Sequence, residues 1–240
     1  MGRRANTYIF CGSVLAATLS IGLAVREPEP SYGGNTLTHW ATVIYMDWSR
    51  GPGKQLPPSP QGVQAKLALR AIGAKAIPSL LRWVRWQEAT WQPSARRAIA
   101  RLPVSADTRH RMVSILDRGL FQHRIVPVVF ATLGPEAAAA IPELSRLADD
   151  PTAQVSGCAI ECLAALGPDA IPAILHVATN PAHQFRVAAI SSLGYYGPAP
   201  KSVIPALQPG LFDTNSLVVE ATRHAIGRID SGTPATPPTK

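Results

Sequence analysis

Apolar residues recur along most of this chain at intervals of three and four, the period of a helix with one buried face. From Gln61 onward that pattern is punctuated by six dipeptides: Ile72-Gly73, Leu102-Pro103, Leu133-Gly134, Leu166-Gly167, Leu193-Gly194 and Ile226-Gly227. They lie 30, 31, 33, 27 and 33 residues apart. Upstream of each, a helix is expected whose inward positions fall three and four residues before the landmark. Those pairs are Ala68/Leu69, Ala98/Ile99, Val129/Phe130, Cys162/Leu163, Ala189/Ile190 and Thr222/Arg223. The glycine serves the helix C-terminal turn, where a positive φ is costly for other residues. Pro103 departs from the pattern but is also a normal stop after a helix. Downstream, a second helix carries proline in its first turns, at Pro78, Pro142, Pro172 and Pro205. The cassette is most regular between Leu133 and Pro205.

A two-helix unit of about 30 residues cannot bury its apolar stripe alone, so neighbours must stack and share a continuous core. The expectation is an all-α fold: a right-handed α-solenoid of about five to six helix-turn-helix repeats over residues 61–230. Arg223 replaces an inward residue in the last unit, which suits a polar terminal cap.

The N-terminal side reads differently. Arg3 and Arg4 precede an uncharged apolar run from Tyr8 to Val25. Its length is at the lower edge of a bilayer span, and its layout also suits a secretory signal ending in the small residues Gly22 and Ala24. Residues 1–25 are therefore expected to be a signal peptide or an N-terminal membrane anchor, with the remainder exported. Residues 26–60 read as a Pro/Gly-rich linker holding one short helix, 36–46, with Leu37, Trp40 and Ile44 along one stripe. Gly51-Pro52-Gly53-Lys54 lacks phosphate-loop spacing. Residues 231–240 read as a disordered tail.

Composition agrees with helices packed closely: 46% apolar residues and 6% aromatics. The net charge of +8 favours acidic partners or anionic surfaces. That charge is unevenly placed. Residues 66–124 hold twelve basic and three acidic residues, whereas residues 125–230 hold five and nine. Trp83, Trp86 and Trp91 lie within the basic part. Arg82, Trp83, Arg85, Trp86, Arg97 and Arg101 are the candidate binding residues, because arginine offers bidentate contacts to anions and tryptophan anchors a partner. The competing reading is a solvated basic face with tryptophans packed between repeats.

The stretch PEAAAAIPELSRLADDPTAQVSGCAIECLAALG resembles a HEAT repeat: a proline-containing first helix, an Asp149-Asp150 turn and a second helix ending Ala-Leu-Gly. FRVAAISSLG resembles the family's second helix, with Phe185-Arg186 where Val-Arg is usual. The lead-in from Tyr32 to Trp40, Tyr-Gly-Gly-x-x-Leu-x-x-Trp, resembles the segment before helical repeats in some exported bacterial HEAT proteins. The resemblance implies a scaffold whose second helices line a concave surface, onto which Arg97 and Arg101 would project.

Chemistry finds little footing. The six histidines are scattered, and neither HExxH nor GxSxG occurs. Asp149 and Asp150 fall in an inter-helix turn, where a helix-capping role is expected of them. Cys158 and Cys162 share one helix face without ligand-spaced companions, so they read as small core residues rather than a metal pair. No catalytic residue, metal or cofactor is expected. The leading function is non-catalytic protein–protein scaffolding outside the cytoplasmic membrane, for a partner of acidic character. Two alternatives stand beside it: polyanion or nucleic-acid binding through the basic repeats, which the apparent export segment opposes, and a lyase-like or enzyme-accessory HEAT protein.

Overall fold

Gly33 and Gly34 adopt φ of 58° and 81°, the paired positive values of a tight hairpin turn. They join two-residue strands β1 (Ser31–Tyr32) and β2 (Asn35–Thr36), paired antiparallel as Ser31↔Thr36 and Tyr32↔Asn35. Thr36 then caps helix α1 (Leu37–Ser49) by accepting from the His39 amide. The Trp40 indole donates to the Tyr32 carbonyl at 3.0 Å, so the Tyr-Gly-Gly-x-x-Leu-x-x-Trp lead-in is a clasp closed on its own helix. The computed structural model describes residues 28–50, 59–195 and 200–231. The apolar run at 8–25, Gly51–Lys54 and the tail from 232 lie outside the described residues.

The remaining regular elements among the described residues are helices: α2 (Pro60–Ile72), α3 (Ile77–Val84), α4 (Gln92–Ala100), α5 (Ala106–Leu116), α6 (Arg118–Leu133), α7 (Ile141–Ala148), α8 (Ala153–Leu166), α9 (Ile171–Thr179), α10 (Arg186–Tyr195), α11 (Ile204–Leu207) and α12 (Ser216–Ser231). The fold is all-α. Short 3₁₀ turns precede α3, α7, α9 and α11.

The cassette spelled out by the sequence has a local mechanism. Gly73, Gly134 and Gly167 end α2, α6 and α8 at φ of 54°, 56° and 84°. A 3₁₀ turn follows, and its last residue is buried: Ala76, Ala140 and Ala170 are each 0% exposed. Ile-Pro then opens the next helix, with proline in the first turn, where its missing amide costs nothing. Gly194 and Gly227 behave otherwise. Both stay within helices, and a Cβ on Gly194 would stand 3.0 Å from the Ala225 backbone, so this glycine lets α10 and α12 approach closely.

Helices α2, α6, α8, α10 and α12 pack one against the next, with α7 and α9 on one side of that row. The inward pairs hold at Ala68/Leu69, Val129/Phe130, Cys162/Leu163 and Ala189/Ile190, all at most 1% exposed. Each large buried side chain stabilises the core by about 1.5–3 kcal/mol. Helix α1 belongs to the same core, through Leu37, Trp40 and Ala41, and packs on both α2 and α6.

Two pairs depart from expectation. Ala98 is exposed and Ile99 only half-buried, and neither α4 nor α5 contributes a buried apolar side chain. In these helices too few large apolar residues fall on one face. The chain leaves the stack after Val84, forms this hairpin and returns at Arg118, while α3 packs directly on α6. In the last pair Thr222 is buried and Arg223 exposed.

Among the described residues one helical run, Arg118–Ala148, is long and apolar enough to cross a membrane. Its composition is accounted for by burial of Ile125, Val129, Phe130 and Leu144 in the core.

Candidate functional site

The second helix of a pair has a stripe to bury, and any apolar residue off that stripe needs another explanation. On α2 the buried stripe is Ala65, Ala68, Leu69 and Ile72. Val63 and Leu67 lie off it, 44% and 62% exposed. They line an open groove of about 930 Å³ bounded by the end of α1 and by α2, α6 and α8. Trp48, at 56% exposure, forms one end, its ring 6.1 Å from that of Tyr45, which meets Phe121 edge-on at 6.1 Å. Pro127 and Val128 of α6 and Ala165 of α8 complete the apolar lining.

Lys66, Arg70 and Arg124 also line this groove, and none makes an ion pair among the described residues. Two carboxylates face it. Asp47 is engaged at the α1–α2 junction, accepting from the Ser59 amide at 3.1 Å. Glu161 has a pKa raised by desolvation against the groove wall, which outweighs the pull of His123. The groove can therefore hold an apolar face flanked by negative charge.

A clasp joins the N-terminal turns of α1 and α6, two elements that line the groove. The Glu29 carboxylate accepts from the Thr38 amide at 3.2 Å and hydroxyl at 2.7 Å, from Gln122 Nε2 at 3.1 Å and from Arg118 Nη2 at 3.1 Å. Gln122 is buried and also donates to Thr38 Oγ1 at 2.8 Å. This network fixes α1 against α6.

The residues marked by sequence are not gathered into one site. Trp83 is 5% exposed and belongs to the core, so it cannot stack on a partner. Trp86 lies over Gly119, where a Cβ would stand 2.1 Å from its Nε1, and tilts against His123. Arg82 donates to Ser79 Oγ at 2.9 Å. Arg85 pairs with Glu143, which also holds Arg146, and the two arginines, Arg146 foremost, lower that carboxyl's pKa to about 2. Arg97 on α4 and Arg101 just after its end are exposed, in the hairpin outside the stack, and do not line the groove. The expected concave placement fails because their helix is not one of the stacked second helices. The groove cations Lys66, Arg70 and Arg124 were within the basic segment, and their signal was the off-stripe pair Val63 and Leu67 beside them.

The strongest cluster of reactive groups is Cys158, Cys162 and His123. Both cysteines are free and buried, as their spacing implies. Cys158 Sγ lies 3.7 Å from the His123 carbonyl, and His123 Nδ1 lies 3.0 Å from the Trp83 carbonyl. Burial pushes the Cys162 thiol well up. Hydrogen bonding to Cys162 and to His123 lowers Cys158 to about 7 despite its burial. Burial alone would lower the His123 pKa, but Cys158, the Trp83 carbonyl and Glu161 outweigh it and raise it. Among the described residues no three histidine, cysteine or acidic side chains are placed to hold a metal ion. Asp150 accepts from the Thr152 amide at 2.8 Å inside the turn; the N-cap of α8 is Thr152, so Asp150 holds the turn rather than capping the helix as expected.

No protein-family profile matches the chain, and no curated protein matches it. Among solved structures, crystal structures of three engineered proteins match at TM-scores of 0.32, 0.32 and 0.31, with 20%, 20% and 18% identity. The matches cover 81%, 84% and 82% of this chain and 58%, 99% and 100% of theirs. The chain thus spans little more than half of the first and nearly all of the other two.

Proposed function

We propose that this chain is a non-catalytic helical-repeat scaffold of the HEAT kind, acting outside the cytoplasmic membrane. Its groove binds an acidic amphipathic segment of a partner protein. The repeats are the five helix pairs α1/α2, α3/α6, α7/α8, α9/α10 and α11/α12, with α4–α5 as an insertion in the second. The observation that carries the binding reading is the groove itself: exposed Trp48, Val63 and Leu67 stand beside three cations that lack carboxylate partners among the described residues. An amphipathic helix laid in an apolar groove is a recurrent recognition mode, and complementary charge adds orientation. Placement outside the membrane rests on the apolar run at 8–25 behind Arg3 and Arg4. Binding of a long polyanion is less well supported, because Arg97 and Arg101 stand away from the groove, which also holds Asp47 and Glu161.

A photoreactive residue at Leu67 tests the reading in intact cells, with one at Leu217, also exposed but outside the groove, as control. The expected result is a discrete adduct from Leu67 alone, with the crosslinked partner peptide carrying acidic residues. Lys66→Glu with Arg70→Glu should reduce the adduct at least tenfold while leaving the thermal midpoint unchanged within a few degrees. Equal adducts from the two positions, or an adduct indifferent to the charge reversal, would remove the proposal.

A further inference from the structure

The α4–α5 hairpin carries a surface that the groove does not use. Trp91, Leu102 and Ile115 are 61%, 38% and 67% exposed. Arg97, Arg101 and Arg111 are exposed as well, and none makes an ion pair among the described residues. Arg97 bonds only within its own helix, to Ser94 Oγ at 3.1 Å and the Pro93 carbonyl at 3.4 Å. The turn between the helices is held: Arg109 Nη2 donates to the carbonyls of Leu102 and Val104 at 3.2 and 3.3 Å. The hairpin thus presents arginines and large apolar side chains on a scaffold that is tied at both ends. Its base is closed by Gln92, whose Nε2 donates to the Leu116 carbonyl at 3.2 Å, and by Arg96 on Asp117.

The position of that base is the second observation. Arg118, the residue after Asp117, holds Glu29 at 3.1 Å. Glu29 stands only four residues beyond Val25, the end of the uncharged apolar run. Four residues of chain reach at most about 14 Å. If residues 8–25 sit in a bilayer, the membrane surface is brought to the side of the molecule that bears the basic hairpin.

We infer that the α4–α5 hairpin rests on the anionic headgroups of that bilayer. Arg97, Arg101 and Arg111 meet lipid phosphates, which guanidinium groups bind in a bidentate fashion. Trp91, Leu102 and Ile115 enter the boundary between headgroups and acyl chains, where tryptophan and aliphatic side chains are favoured. A soluble acidic protein could satisfy the arginines, but it would not use the proximity of the chain's own apolar run. The contact orients the stack relative to the membrane, and the groove can bind with or without it.

The test uses the full chain reconstituted into vesicles of phosphatidylcholine, or of phosphatidylcholine containing about a third phosphatidylglycerol. Hydrogen exchange is read for peptides covering residues 92–116, with α6 and α8 peptides as internal reference. One arginine near an anionic leaflet is worth about a fivefold population shift, so the hairpin amides should exchange at least tenfold more slowly on the anionic vesicles. The protection should vanish near 1 M salt, where the screening length is about 3 Å. It should also vanish in the triple variant Arg97→Glu, Arg101→Glu, Arg111→Glu. The salt arm uses the unaltered chain, so a variant that folds poorly leaves the answer intact. Equal exchange on the two lipids would overturn the inference. So would protection that requires an added soluble protein or nucleic acid.

Discussion

The hairpin α4–α5 and the pair α7–α8 occupy neighbouring stretches of one periodic sequence, yet only one of them is built into the core. Each carries a landmark dipeptide at nearly the expected interval, Leu102-Pro103 in the turn after α4 and Leu166-Gly167 at the end of α8. Helix α8 buries nine of its residues, including Val155, Ile160 and Leu163, and sits between α6, α7 and α10. Helix α4 buries only Gln92, and α5 buries none. Spacing of helix ends is thus a weaker determinant than the volume of apolar side chain delivered to one face. In QPSARRAIA a single large aliphatic residue, Ile99, is available. Polar contacts take over there: Gln92 and Arg96 close the hairpin where leucines would do so in the stack.

The largest expected effect comes from core truncation on either side of this divide. Phe130 is fully buried in α6, so Phe130→Ala should cost about 3–5 kcal/mol. Ile99→Ala, at a half-buried position, should cost less than about 1 kcal/mol. Chemical denaturation midpoints at constant slope measure both. Comparable losses would mean that the hairpin is as integral to the cooperative unit as α6.

A smaller effect separates the glycines that end helices from the one that lies inside a contact. At Gly134 an added Cβ meets nothing within 4 Å, but φ is 56°, so Gly134→Ala should cost about 1–3 kcal/mol through the backbone alone. Gly194→Ala should cost a similar 1–3 kcal/mol for another reason, the approach of its Cβ to 3.0 Å from Ala225. Denaturation midpoints of the two single variants measure both losses. A loss below about 0.5 kcal/mol at Gly194 would mean that α10 and α12 do not depend on the close approach.

How far the sequence could be read follows the same divide. The all-helical class, the burial of Val129/Phe130 and Cys162/Leu163, and the Gly-turn-Ile-Pro cassette were all legible, because each depends on local period or local φ. Place in the stack was not. Helix α4 has a helix's period, but packing decides whether a helix joins the row, and packing depends on partners remote in sequence. Helix α1 illustrates the converse: a short helix between Pro/Gly-rich stretches proves to wall the groove, through contacts with α2 and α6. The basic bias of residues 66–124 pointed to the right region. It could not distinguish Arg70 in a groove from Arg85 paired to Glu143 or Arg97 on an outlying hairpin, since those fates are set by tertiary neighbours.

The smallest expected effect lies at the point where the chain leaves the stack. Arg85 follows the last turn of α3 and pairs with Glu143 of α7, which Arg146 also holds. The carboxyl pKa is depressed in the folded chain, to about 2, well below the ordinary value of 4.5. A depressed folded pKa contributes stability that is present above the unfolded value and is lost as pH falls between the two. Because Arg85 is 44% and Glu143 30% exposed, solvent screens the pair, and its contribution near neutrality should stay below about 1 kcal/mol. Glu143→Gln should therefore lower the denaturation midpoint slightly at pH 6, and the gap to the unaltered chain should narrow from about pH 4.5 downward and vanish below about pH 2. High salt at pH 6 should shrink it as well. A gap that stays constant across this range would mean that the glutamate acts through packing, and that the junction between stack and hairpin is not held by charge.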